Sequence, residues 1–157
     1  MSDFVLLFDD YGMESQNLHS SFILTGYDCP VIVIDETGFL PENVVSVYGS
    51  YLGDYSKQTN QYGKPRYFNQ VDVPDYWEIT ANSRNGVIHD KNHERGYINY
   101  TEPSNKRLVN SVDWTDETGV RRISNFYNQY GALYAKTIYD VKGKAIHKSY
   151  FIIKPVV

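Results

Sequence analysis

Cysteine is almost missing from this chain of 157 residues. Cys29 stands alone, so no internal disulfide can staple the fold, a usage that suits a reducing cytosol. Long apolar runs are missing too. Residues 4–8 and 30–34 are the main ones, too short for a signal-peptide core or a membrane span. Positive charge is missing from one end. Residues 1–56 carry nine carboxylates and neither Lys nor Arg, whereas residues 57–157 carry ten carboxylates and all fifteen basic residues. The change of composition near Lys57 marks an architectural boundary. Two readings fit the basic part: a sheet that attracts an acidic partner, and an uneven but solvated surface.

What is plentiful is tyrosine, with fifteen copies, a residue that favours strands and contact surfaces. The most ordered signal lies between residues 112 and 152. Asp116-Glu117-Thr118-Gly119, Asn128-Gln129-Tyr130-Gly131 and Asp140-Val141-Lys142-Gly143 repeat one pattern, with glycines 12 residues apart. Gly supplies positive φ, and Asp or Asn folds its side chain onto nearby backbone, so each is a tight turn. The runs between and after them, 120–127, 132–139 and 144–151, are rich in β-branched and aromatic residues. Together they predict an antiparallel β-meander. Alternate residues of a strand face opposite sides, and in these runs neither side is cleanly apolar. A single-layer sheet wetted on both sides fits, with tyrosines on its surface; a poorly patterned edge of a sandwich is the alternative.

The start reads differently. Residues 4–8 and 30–34 lack alternation and fit buried parallel strands. Between them 14–25 predicts a helix with Leu18 and Phe22 on one face and Gly26 as its stop. This is one β-α-β unit with no further α/β alternation after it. Residues 43–52 are expected to be extended, 56–64 a loop, and 66–73 a strand ended by Pro74. The fold class is α+β, mostly β: residues 1–45 a piece of a Rossmann-like lobe, residues 46–157 an extended antiparallel sheet domain.

Candidate chemistry is sparse. Asp9 and Asp10 follow the first strand, where α/β folds bind ligands, but without a partner lysine on a later strand they read as a solvated turn. His89, Asp90, His93 and Glu94 are interleaved with Lys91 and Arg95 and read as a charged loop, not a metal site. Cys29 beside Pro30 reads as a buried structural thiol. Basic and aromatic residues share the sheet, yet no RNP-type motif is present, so nucleic acid is not expected as a partner. No catalytic constellation, metal or cofactor is expected.

Four stretches together resemble one family. They are Leu7-Phe8-Asp9 with residues 14–21; residues 26–34 with Gly38-Phe39-Leu40-Pro41; residues 67–74 with Trp77-Glu78-Ile79; and Val112-Asp113-Trp114 with the Gly119 and Gly131 turns. They resemble the amino-terminal part of the GtfB family, stabilising and co-activating subunits of the glycosyltransferase of the accessory Sec system in Gram-positive bacteria. The resemblance covers nearly the whole chain. It implies a fragment of a two-lobed relative of GT-B glycosyltransferases, with an extended β-sheet inserted after the first β-α-β unit. It implies pairing with a GtfA-like catalytic subunit that adds N-acetylglucosamine to Ser and Thr of serine-rich repeat adhesins. It further implies binding of the unfolded Ser/Thr-rich acceptor polypeptide without catalysis, in the cytoplasm or peripherally at the membrane through the complex. The expected peptide or partner contacts are Asn125, Tyr127, Tyr134 and Tyr139; Phe68, Trp77 and Trp114 are expected as core or interface anchors. A second reading keeps the sheet alone, as a structural array of tyrosine–aspartate–glycine repeats, of which residues 139–143 resemble one copy.

Overall fold

The computed structural model describes residues 4–35, 37–52 and 63–151 of the protein. The chain divides into two compact units, Met1–Lys57 and Gln58–Val157. It is α+β and mostly β, with one small parallel sheet and one large antiparallel sheet.

The first unit contains β1 (Leu6–Phe8), α1 (Met13–Leu24), β2 (Val31–Val33), β3 (Val44–Ser46) and α2 (Val47–Leu52). Strands β1, β2 and β3 pair in parallel in that order, so the expected β-α-β unit gains a third strand. The boundary expected after residue 45 falls inside β3. Residues 43–52, expected to be extended throughout, turn helical after Ser46. Its hydroxyl oxygen accepts the Gly49 N–H at 2.7 Å, a cap bond that starts α2. The core here is Val31, Val33, Leu40 and Val44, flanked by Leu6, Phe8 and Tyr11. Among the described residues of this unit nothing covers the other side of the sheet, where Leu7 and Val45 are exposed in register with Ile32. The first strand is therefore covered on one side, not two. Helix α1 also departs from expectation: Leu18 is exposed and His19 is buried, its Nδ1 2.7 Å from the Tyr11 hydroxyl. That bond between residues eight apart sets which side of α1 faces inward. Gly26, at φ 87°, ends the helix as expected, with Gly26 N–H donating to Ile23 and Tyr27 N–H to Phe22.

The second unit is a seven-stranded antiparallel meander: β4 (Glu78–Ala81), β5 (Asn85–Asp90), β6 (His93–Tyr100), β7 (Val109–Thr115), β8 (Arg121–Tyr127), β9 (Leu133–Tyr139) and β10 (Ala145–Tyr150). Every strand neighbours the next in sequence. The three Asp/Asn–Gly turns join β7 to β10 and share one geometry. Gly119, Gly131 and Gly143 sit at φ 84°, 78° and 78°, a region that favours glycine. In each turn the Asp or Asn Oδ1 accepts two backbone N–H groups, two and four residues on. The partners are Thr118 and Val120, Tyr130 and Ala132, and Lys142 and Lys144.

One side of this sheet is apolar at its centre. Ile88, Ile98, Val109, Val112 and Tyr127 form a buried cluster there. It is covered by the segment 66–77, of which residues 66–73 were expected to form a strand and do not. Tyr67 makes only an isolated bridge to Leu108, and Phe68–Gln70 is a short 3-10 turn. The Tyr67 N–H is taken by the Gln70 side chain at 2.7 Å, which closes the turn and denies it to a ladder. Beyond it, Val71 drops into the core and Val73 and Trp77 pack against it. Arg66 ties the strap down: its Nε donates to Gly131 O at 2.7 Å and its guanidinium lies 4.6 Å from the Tyr127 ring centre. Of the loop expected over 56–64, residues 56–62 lie outside the described residues, as does everything after Phe151.

Two outcomes test the turn chemistry. Asn128 is buried, so Asn128→Ala leaves two backbone donors unpaired and is expected to cost about 2 kcal/mol in a urea melt. The Asp116 carboxyl is held below the usual carboxylate range, first by the Thr118 hydroxyl and further by the Val120 and Thr118 N–H groups and Arg122. A pKa lowered by folding gives stability that is present above the unfolded value and is lost as pH falls through the folded one. Thr118→Ala is expected to move the Asp116 titration, followed by NMR, upward towards an ordinary carboxylate.

Candidate functional site

The two sides of the large sheet offer different chemistry. The side opposite the strap carries a hydrogen-bonded ladder across four strands. Asn99 Nδ2 on β6 donates to Ser111 Oγ at 3.0 Å and to Asp113 Oδ2 at 3.1 Å on β7. The Ser124 hydroxyl on β8 donates to the other Asp113 oxygen and is also hydrogen-bonded to the Tyr139 hydroxyl on β9, 3.1 Å away. Arg121 reaches the same carboxylate at 3.5 Å and covers the Tyr139 ring, 4.4 Å from its centre. Ser111, Ser124, Thr137 and Tyr139 are buried. The side is polar yet largely satisfied by itself.

The strap side carries an open cleft of about 320 Å³ where the strap ends, lined by Asp72, Pro74, Trp77, Trp114, Ile123, Asn125 and Lys136. Its location follows from the register. Trp114 pairs with Gly96 across β6 and β7, and a Cβ on Gly96 would lie 3.3 Å from the indole. The missing side chain lets the Trp114 ring lie down on the sheet. Trp77, at the strap's end, meets it with ring centres 6.4 Å apart and planes at 51°. Arg95 lies 5.0 Å from the Trp77 ring centre and fixes its other side. Ile123, Asn125 and Lys136 follow on β8 and β9, where Asn125 and Lys136 are cross-strand partners. Asn125 Oδ1 is buried without a hydrogen-bond partner, and Lys136 enters no ion pair among the described residues.

The expected contact residues separate. Asn125, Trp77 and Trp114 meet in this cleft. Phe68 does not: it sits on the 3-10 turn, its ring against Tyr67 and beneath Arg107. The three tyrosines expected as exposed contacts are buried, at 6% (Tyr127), 1% (Tyr134) and 8% (Tyr139). The causes differ. An irregularity in register after Phe126 brings Tyr127 into the apolar cluster under Arg66. Tyr139 is drawn into the polar ladder under Arg121. Tyr134, on a strand flanked on both sides, packs near Phe126. Sequence reasoning missed Lys136 and Asp72. The signal for Lys136 was its position in the run 132–139, which places it opposite Asn125 once the Asn128–Gly131 turn sets the register.

The GtfB N-terminal domain family matches residues 5–51 and the GtfB middle domain family residues 77–155. The chain is 41% identical over 94% of its length to the "UDP-N-acetylglucosamine--peptide N-acetylglucosaminyltransferase stabilizing protein GtfB" of Streptococcus gordonii. It is 33% identical over 92% of its length to the protein of that name from Limosilactobacillus reuteri subsp. suis. It spans 32% of each, about a third of the length of these relatives. Among solved structures, the GtfA/B complex bound to UDP and GlcNAc contains a chain that matches with TM-score 0.84 at 40% identity, covering 94% of this chain and 32% of that one. The glycosylation associate protein (Gap123) complex from Streptococcus agalactiae matches with TM-score 0.66 at 12% identity over 94% of this chain and 34% of that one, a likeness of fold alone.

The polar ladder makes Asp113 its shared acceptor. Asp113→Ala removes the partner of Asn99, Ser124 and Arg121 together and is expected to cost about 3 kcal/mol in chemical denaturation. The single changes Asn99→Ala and Arg121→Ala are expected to cost less.

Proposed function

The chain belongs to the GtfB family, and from that premise we propose that it is part of the stabilising, non-catalytic subunit of a peptide N-acetylglucosaminyltransferase. Its role is to dock a GtfA-like catalytic subunit and to hold the acceptor, an unfolded Ser/Thr-rich polypeptide of the serine-rich repeat adhesin type. The setting is the accessory Sec system of a Gram-positive bacterium, in the cytoplasm or peripherally at the membrane through the complex. The observation that carries this reading is the likeness to stabilising subunits across both units of the chain.

The large sheet supports the docking role on physical grounds. Among the described residues its outermost strands are β4 and β10, and an edge strand presents backbone N–H and C=O groups that an extended polypeptide can pair with. β10 exposes residues 145–148, Ile146 among them, and Ile138 is exposed on the neighbouring β9. The polar ladder gives one side a fixed pattern of hydroxyl, amide and guanidinium groups, suited to a polar subunit interface.

The test is direct. Mixed with the catalytic subunit of its own complex, the 157-residue chain is expected to co-elute on sizing and to raise that subunit's thermal midpoint. It is expected to retain an unglycosylated serine-rich peptide and to give no heat with UDP-N-acetylglucosamine in calorimetry. Separate elution would remove the pairing role, loss of the peptide alone would remove the acceptor role, and a saturable UDP-N-acetylglucosamine isotherm would overturn the non-catalytic assignment.

A further inference from the structure

We draw no further inference here: the strongest candidate, the exposed apolar side of the small parallel sheet at Leu7 and Val45, carries none because nothing in the structure shows what covers it.

Discussion

The large sheet depends on one small interaction made three times: a side-chain oxygen of Asp or Asn accepting the N–H groups two and four residues ahead. In a meander a slip of one residue would exchange the two sides of the sheet, so its register has to be held. Three turns of the same closed geometry hold it locally from β7 to β10. Each also supplies the left-handed residue that lets the strand return with one residue of offset. The ladder around Asp113 then adds agreement across strands, since Asn99, Ser124 and Arg121 can share one carboxylate in a single alignment only.

The strap solves a second problem. A sheet whose inner side is apolar in the middle must cover it, and the described residues of the second unit include no α-helix with which to do so. Residues 66–77 do it instead, with Val71 as the plug and Arg66 as the anchor onto the Asn128–Gly131 turn. The same turn therefore sets the register of β8 and β9 and receives the strap. Coverage and strand alignment are mechanically linked, and loosening one loosens the other.

How much of this was legible follows the range of the interactions. The turns, the strands between them and the stop at Gly26 depend on residues within four or five positions, and the sequence shows them. The helix after Ser46 was equally local, but the β-branched run around it masked the cap. The exposure of Tyr127, Tyr134 and Tyr139 could not be read. Their side depends on irregularities in pairing with a strand whose register is set elsewhere, and a tyrosine is at home both in a core and on a surface. The strand expected over 66–73 failed for a related reason: alternation of apolar and polar residues also serves a segment that crosses a sheet at an angle, dropping a side chain in where it can.

The cleft exists because the strap and the sheet have different lengths. The strap covers the centre and leaves at Trp77, whereas β8 and β9 run on past it with Ile123, Asn125 and Lys136 in line. The chain turns away at Pro74–Trp77 through Tyr76, a residue whose backbone conformation opposes its side chain. Glycine there would make the turn easier and leave the sheet's covering intact.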